Sequence, residues 1–176
     1  MAYLELIMGP MFSGKTSKLL EIYKQCMFCN IKTVVVNHDL DKRYHSSMLS
    51  THDKIMIPCI RTTTLELIWD SLQEADVILI NEGQFFPDLY ESCIRLMYMN
   101  KKVYVCGLDG DFQKKPIGQM LELIPICDNV TKLTSLCAIC KNGTRGIFSK
   151  RVTGEQEQII IGADNYIPVC RICYTN

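Results

Sequence analysis

Residues 3–16 read YLELIMGPMFSGKT, an apolar run that leads directly into a glycine-rich loop. The run from Tyr3 to Met8 has the composition of a buried strand, and Lys15 to about Cys29 has that of a helix. Between them, Gly9 to Thr16 fits the pattern G-x-x-x-x-G-K-[ST], which indicates phosphate binding only in this strand-to-helix context. The stretch therefore predicts a nucleoside-triphosphate site and disfavours the alternative of a chance glycine-rich turn.

Each part of this loop has a chemical role in such a site. Glycines permit backbone conformations that other residues resist, so loop N–H groups and the helix start can face phosphate oxygens. Lys15 would place a positive charge near the β- and γ-phosphates, and Thr16 would offer its hydroxyl to magnesium. The phosphate-binding set predicted from the loop is Gly9, Pro10, Met11, Phe12, Ser13, Gly14, Lys15 and Thr16.

Apolar runs and helical patterns continue to alternate as far as residue 108. Strands are predicted at residues 32–37, 77–80 and 103–108, helices at residues 63–72 and 87–100, and a long loop at residues 38–54. Strands that alternate with helices form parallel sheets covered on both faces, and the continuous apolar character of these strands agrees with that burial. The predicted fold class is therefore α/β.

The pattern changes near residue 135, beyond which two C-x-x-C pairs enclose a polar segment. We predict a nucleotide-binding domain over residues 1–135 and a small zinc-binding domain over residues 136–176. Four thiolates, from Cys137, Cys140, Cys170 and Cys173, suit closed tetrahedral zinc, and buried thiols or two redox dithiols are the alternatives. A third pair, at residues 26 and 29, lacks a partner pair and is interpreted as buried thiols at a helix end.

The charge and hydropathy of the chain argue against some classes of protein. The 176 residues carry 19 basic and 19 acidic side chains, whereas dedicated nucleic-acid binders usually have a basic excess. The N-terminal segment lacks the basic region of a signal peptide, and no apolar run approaches the roughly 20 residues that span a bilayer. A cytoplasmic protein with no membrane or stable nucleic-acid partner is expected.

The stretch VILINEGQFFPDL, residues 77–89, places Asn81 and Glu82 at the end of a predicted strand. A carboxylate pair at such a position commonly holds nucleotide-bound magnesium, but the first of these two side chains is neutral. Taken alone, the stretch could be a metal-and-base strand with one member neutralised, or an ordinary buried strand beside a surface loop.

Several motifs, taken together, resemble one family. The chain carries several motifs of the type II, zinc-containing thymidine kinases in the order of that family. They are GPMFSGKT, DKRY (41–44) with THD (51–53), EGQFFPD (82–88), LDGDFQKKP (108–116), GADNY (162–166) and both cysteine pairs. The resemblance runs from about residue 4 to residue 174. It implies a P-loop, RecA-like α/β domain and a zinc domain whose lasso loop covers a nucleoside. It further implies ATP- and magnesium-dependent phosphorylation of the 5′-hydroxyl of thymidine or deoxyuridine, dTTP as feedback inhibitor, and a homotetramer.

The resemblance also implies roles for individual residues. Glu82 is expected to be the catalytic base, although it could instead hold a magnesium-bound water; Lys15 and Arg43 would assist at the phosphates, although Arg43 could be a solvated loop charge. Phosphate contacts are further implied for Asp41, Lys42, Asn81 and Gln84. The implied nucleoside site comprises Met11, Phe85, Leu108, Phe112, Gln158, Ile159, Ile160, Ile161, Gly162 and Tyr166.

Three positions depart from the family's pattern. Asn81 stands where relatives usually have Asp, which predicts a weaker magnesium interaction without loss of function. Ile161 stands where many relatives have Gly and would be strained if φ were positive, and Ile117 stands where an aromatic residue is frequent. Two other functions stay open: a P-loop phosphotransferase with a different deoxynucleoside preference, and a zinc-ribbon nucleic-acid-binding ATPase.

Overall fold

The computed structural model describes residues 1–41, 48–50, 55–155, 157–160 and 162–175. The strands are β1 (Tyr3–Met8), β2 (Thr33–His38), β3 (Met48–Ser50), β4 (Met56–Pro58), β5 (Ile60–Thr62), β6 (Val77–Ile80), β7 (Lys102–Gly107), β8 (Asn129–Lys132), β9 (Ser135–Leu136), β10 (Arg145–Gly146), β11 (Phe148–Arg151) and β12 (Tyr166–Val169). The α-helices are α1 (Lys15–Phe28), α2 (Trp69–Glu74), α3 (Leu89–Tyr98) and α4 (Arg171–Thr175). Short 3₁₀ helices occur at Glu66–Ile68, Gly83–Phe85, Met120–Ile126 and Ala163–Asn165.

Six strands form one parallel sheet in the order β5-β2-β6-β7-β1-β8. β1 lies between β7 and β8, with Met8 opposite both Gly107 and Lys132. Because every strand of this sheet runs the same way, the loops after the strands all emerge at one edge. Ligands of open α/β sheets bind at that carboxyl edge, so the topology itself locates the candidate site.

Both faces of the sheet are buried. Alternate residues of a strand face opposite sides, so Leu6 and Ile78 pack on one face with α3, while Ile7 and Leu79 pack on the other with α1. This arrangement explains the uninterrupted apolar strands and confirms the predicted α/β fold.

Smaller antiparallel pairs occupy the last part of the chain. β9 pairs with β10 and β11 with β12, and α4 follows them. Cys137, Val169 and Cys170 form a small separate core there. The division at residue 135 stays a prediction. In the part of the chain that is described, no helix has the length and apolar composition required to cross a bilayer.

Three of the predicted elements are wrong in extent. The predicted helix at residues 63–72 is a 3₁₀ turn followed by α2, because the N–H groups of Leu65 and Glu66 donate to the Asp88 carboxylate at 3.1 and 2.9 Å. The predicted loop at residues 38–54 contains β3, which pairs with β4. Pro87 precedes α3 instead of lying in its first turn, since the helix begins at Leu89 after the cap residue Asp88.

Candidate functional site

The loops after β1, β2, β6 and β7 meet at the carboxyl edge of the sheet. Across these loops lie the end of β11 and a stretch that we call the covering segment. The covering segment is residues 155–160, of which residue 156 is outside the described part. A cleft between these two parts combines hydroxyl, cationic, acidic and aromatic groups. It is lined by Met11, Phe12, Ser13, Gly14, Lys15, Thr16, Ser17, Leu40, Asp41, Ser50, Glu82, Gln84, Phe85, Leu108, Gly110, Asp111, Phe112, Ile117, Ser149, Gln158, Ile159, Ile160, Gly162 and Tyr166.

The glycine-rich loop has a backbone suited to phosphate. Gly14 caps α1 with φ 84°, in the left-handed region that favours glycine. A side chain at Gly9 would not fit, because its Cβ would lie 2.5 Å from the carbonyl oxygen of Leu133. Phe12 has φ 62°, a strained value for a bulky residue. The loop therefore leads into the first turn of α1, whose backbone N–H groups are of the kind that bind an anion.

Two contacts hold the loop in shape. The Lys15 ammonium donates to the carbonyl oxygen of Pro10 at 2.7 Å, which keeps its charge over the loop. The N–H of Met11 donates to Oγ of Ser149 at 2.9 Å, and Ser149 is buried on β11. The phosphate loop is therefore completed by a residue from the distant, cysteine-rich part of the chain.

Glu82 presents its carboxylate to the cleft from a strained backbone. Its φ and ψ are 55° and 43°, a left-handed conformation that is uncommon for a non-glycine residue. Nε2 of Gln84 donates to Oε2 of Glu82 at 2.7 Å, while Oε1 of Gln84 accepts from the N–H of Leu108 at 3.0 Å. Buried Gln84 thus ties the Glu82 carboxylate to the end of β7.

A chain of buried polar side chains runs from the phosphate loop to β2 and the residues after it. Oγ1 of Thr16 lies 3.5 Å from Oδ1 of Asn81. Nδ2 of Asn81 donates to Oδ1 of Asn37 at 3.0 Å, and Nδ2 of Asn37 donates to Oδ2 of Asp41 at 3.2 Å. Asn81 and Asn37 are only 2% and 3% exposed. The Asn81 amide therefore donates towards β2 and presents its carbonyl oxygen to Thr16.

The opposite wall of the cleft is mostly apolar and is held in place by Asp111. Oδ1 of Asp111 accepts from the N–H groups of Gln113 and Lys115, both at 2.8 Å, which fixes the turn that carries Phe112. Oδ2 of Asp111 accepts from Nε2 of Gln158 at 2.8 Å. The Gln158 side chain therefore anchors the covering segment to the loop after β7.

His38 lies behind this wall as a neutral imidazole. Its ring packs against Phe85 and Phe86, with centroid separations of 5.6 and 4.8 Å. Nδ1 accepts from the N–H of Leu40 at 3.1 Å, so Nε2, 3.2 Å from the Thr63 carbonyl oxygen, carries the proton. Burial lowers the pKa of His38 below its ordinary value, which favours the neutral form.

The four cysteines of the two pairs form a cluster that fits a metal ion. The sulfur atoms of Cys137, Cys140, Cys170 and Cys173 all lie within 4.8 Å of one another. Cys140 Sγ is 3.8 Å from Cys170 Sγ and 3.4 Å from Cys173 Sγ. Four sulfurs placed tetrahedrally at about 2.3 Å from zinc are about 3.8 Å apart, so the set suits zinc. Hydrogen bonds from backbone N–H groups, first that of Cys140 to Cys137 Sγ at 3.5 Å, lower the pKa of the Cys137 thiol to about 6.

The remaining cysteines show no comparable grouping. All ten cysteines lie in the described part of the chain and form no disulfide there. Cys26 is buried but Cys29 is exposed, so the interpretation of that pair as buried thiols is wrong for Cys29.

The cleft brings together most of the site residues predicted from sequence. Those that line it are Met11, Phe12, Ser13, Gly14, Lys15, Thr16, Asp41, Glu82, Gln84, Phe85, Leu108, Phe112, Gln158, Ile159, Ile160, Gly162 and Tyr166. Gly9, Pro10 and Asn81 are not among the lining residues. Lys42, Arg43 and Ile161 fall outside the described residues, so the predictions for these three stay predictions. Gly162 has φ 139°, and a Cβ there would lie 2.9 Å from Nδ2 of Asn165.

Sequence reasoning did not single out Asn37, Asp111 or Ser149. The turn that follows Asp111 could have been recognised, because Asp commonly accepts from N–H groups two residues on. Asn37 and Ser149 carry no local signal, since each acts through a partner distant in sequence.

Comparison with known proteins gives consistent matches over nearly the whole chain. The family model described as Thymidine kinase matches residues 2–174. The thymidine kinase of Myxoma virus (strain Uriarra) is 41% identical over 172 residues, which are 97% of this chain and 95% of that protein. The thymidine kinase of Vaccinia virus (strain Western Reserve) is 42% identical over 173 residues, covering 98% and 96%. The protein named "Thymidine kinase, cytosolic" of Bos taurus is 39% identical over 172 residues, covering 97% and 71%.

Among solved structures, domain III of the Thermotoga maritima replication initiation protein DnaA aligns with 74% of this chain and 54% of its own. The TM-score is 0.44 and the identity 17%, a likeness too weak to bear on function.

Proposed function

Because the chain belongs to the thymidine kinase family, we propose that its cleft binds ATP and thymidine together and transfers the γ-phosphoryl group to the 5′-hydroxyl, giving dTMP. Deoxyuridine is the second acceptor that we propose. The observation that carries this proposal is that a phosphate loop, one strained carboxylate and an aromatic wall face the same cleft. Such an activity belongs to nucleotide salvage.

Glu82 is the residue that we assign as general base. As the 5′-oxygen forms its bond to the γ-phosphorus, its proton passes to the Glu82 carboxylate, and the bond from γ-phosphorus to the bridging oxygen breaks to release ADP. The hydrogen bond from Gln84 fixes the carboxylate relative to the end of β7, where the nucleoside wall begins. We therefore propose that Gln84 positions the base, a role that fits its buried place better than direct phosphate contact.

The phosphate side of the cleft supplies positive charge and hydrogen-bond donors. The N–H groups of the loop and the Lys15 ammonium would bind the β- and γ-phosphates and stabilise the charge that develops during transfer. Magnesium, when bound, would supply positive charge that neutralises the phosphates. The oxygens of Thr16 and Asn81, 3.5 Å apart beside the loop, are the kind of ligand this ion prefers, directly or through water.

The nucleoside side would recognise a flat base between apolar surfaces. Phe85, Leu108 and Phe112 offer such surfaces, and Tyr166 closes the end of the wall. Backbone groups of the covering segment would bind the polar edge of the base, since its Gln158 side chain is already engaged by Asp111. Arg43, Lys42 and Asp41 are proposed to contact phosphate from the loop after β2.

Three further properties rest on the family resemblance. We propose a homotetramer, inhibition by dTTP, whose thymine and triphosphate would occupy both sides of the cleft, and a cytoplasmic location. The bovine relative named cytosolic supports the last of these. Light scattering during size-exclusion chromatography tests the tetramer, and dTTP competition against each substrate tests the inhibition.

A phosphate-transfer assay over the four natural deoxynucleosides, with ATP and magnesium, tests the proposal. Thymidine should be the preferred acceptor, and preference for deoxycytidine or deoxyguanosine would contradict it. Glu82→Gln keeps the shape but not the basicity of the side chain, so kcat should fall by about 100- to 10,000-fold. Glu91→Gln, at an exposed position on α3, is the matched control and should keep the wild-type rate. Full activity of Glu82→Gln would refute the assignment of the base.

A further inference from the structure

Arg151, at the end of β11, is the buried cation whose role the proposed reaction leaves unexplained. The residue is only 9% exposed, and its Nε has no hydrogen-bond partner in the described part of the chain. Arginine is rarely buried unless its charge is compensated, because removing a cation from water is costly. The groups that surround its guanidinium therefore indicate what it does.

The guanidinium gathers the backbone of the covering segment. Nη1 donates to the carbonyl oxygens of Glu155 and Glu157 at 2.9 and 2.6 Å, and Nη2 donates to that of Gln158 at 3.3 Å. A planar fork with several donors can hold carbonyls from several residues in one fixed arrangement, which a lysine ammonium does less well. One side chain from β11 therefore holds the backbone of Glu155, Glu157 and Gln158, in addition to the anchor that the Gln158 side chain makes to Asp111.

The same guanidinium contacts the aromatic wall. Its Cζ lies 3.7 Å from the ring centroid of Phe112, and Nη2 donates to the Tyr166 hydroxyl at 2.5 Å. A cation stacked on an aromatic face is favourable, more so when both are shielded from water. Arg151 is therefore the shared partner of Phe112, Tyr166 and the covering segment, which approach the nucleoside side from three different elements.

We propose that Arg151 is a positioning residue for thymidine, a proposal that rests on the proposed function. It sets the covering segment and the Phe112 ring at the separation a pyrimidine base requires, without touching the base or the phosphates. The phosphate loop is held independently, by Ser149 two residues earlier on the same buried face of β11. Loss of Arg151 should consequently weaken thymidine binding and leave ATP binding nearly unchanged.

The test measures thymidine and ATP affinities separately, by calorimetry on the full chain. Arg151→Gln should raise the Kd for thymidine by about 10- to 100-fold, the loss expected when charge-assisted hydrogen bonds are removed. Its Kd for magnesium–ATP should stay within about threefold. Arg151→Lys keeps the charge but not the fork and should recover part of the loss. Arg145→Gln, the same change at an exposed site on β10, should match the wild type.

Hydrogen exchange supplies a readout that needs no nucleoside. Amides of residues 155–160 should exchange faster in Arg151→Lys, while those of α3 should not change. Unchanged exchange in the covering segment, wild-type thymidine affinity in both variants, or equal losses for thymidine and ATP would each overturn the proposal. If Arg151→Gln does not fold, the measurements on Arg151→Lys decide whether the proposal holds. A wild-type chain that binds no thymidine would instead refute the proposed function, while the exchange result would still decide whether Arg151 holds the segment.

Discussion

Replacing Asn81 by Asp would remove a hydrogen-bond donor as well as add a charge. Nδ2 of Asn81 donates to Oδ1 of Asn37, and neither residue is exposed enough for water to replace that bond. The carboxylate introduced by Asn81→Asp would face the Asn37 carbonyl oxygen, acceptor against acceptor. Turning the Asn37 amide over would satisfy the new carboxylate but withdraw the hydrogen bond from Asp41. Either way, one buried hydrogen bond is lost.

Asn81→Asp should change both the stability of the chain and its affinity for magnesium, and the size of each change can be worked out. Leaving one buried acceptor unsatisfied costs about 1–3 kcal/mol of unfolding free energy. In a chain of this length each kcal/mol lowers Tm by about 2–4 °C, so Asn81→Asp should melt about 2–12 °C lower. A full charge beside a divalent ion, acting across water, contributes about 1–2 kcal/mol. The magnesium concentration for half-maximal rate should accordingly fall by about 5- to 30-fold.

The assay combines thermal melting without nucleotide and a magnesium titration of the rate at saturating ATP and thymidine. Asn37→Asp is the matched control, because it adds the same charge one amide farther from Thr16. Asn37→Asp should lower the Tm, because the new carboxylate would face that of Asp41. It should change the magnesium midpoint less than Asn81→Asp does. An unchanged magnesium midpoint in Asn81→Asp would refute the assigned role of Asn81 in the metal site. An unchanged or higher Tm would refute the reasoning about the amide pair.

Three further measurements test other parts of the structure. Burial lowers the pKa of His38, so below about pH 6.5 the unfolded chain binds a proton that the folded chain does not. The stability conferred by neutral His38 is therefore present above that pH and is lost as the pH falls. His38→Gln should flatten the acid side of a plot of Tm against pH, and an unchanged slope would contradict this. Elemental analysis should find one zinc per chain, and Cys140→Ser should lose it together with several degrees of Tm; a full metal content in that variant would contradict the cluster. Gly9→Ala should lower kcat/KM for ATP by about 100-fold because its Cβ displaces the loop from Leu133, whereas Gly154→Ala, with open space around it, should not.

The parts of the site that the sequence predicted are those fixed by near neighbours. The glycine-rich loop follows directly from β1, and Glu82 comes just after Asn81 at the end of β6, so their place at one sheet edge is implied by parallel topology alone. The contacts of Asn37, Ser149 and Arg151 could not be predicted in this way. Each depends on a partner from another element, and none stands in a pattern whose spacing has a physical meaning. The start of α2 was missed for the same reason, since Asp88 fixes the preceding turn from a distance.

The hydrogen bond from Met11 to Ser149 has a consequence for synthesis of the chain on the ribosome. The two residues are 138 positions apart, so the phosphate loop emerges long before the serine that completes it. β1 likewise lacks one of its two neighbouring strands until β8, residues 129–132, has been synthesised. A nascent chain can therefore collapse around its first helices while its nucleotide site remains unfinished. Competence for catalysis should arise late in translation, when β11 has left the exit tunnel and can dock on the loop.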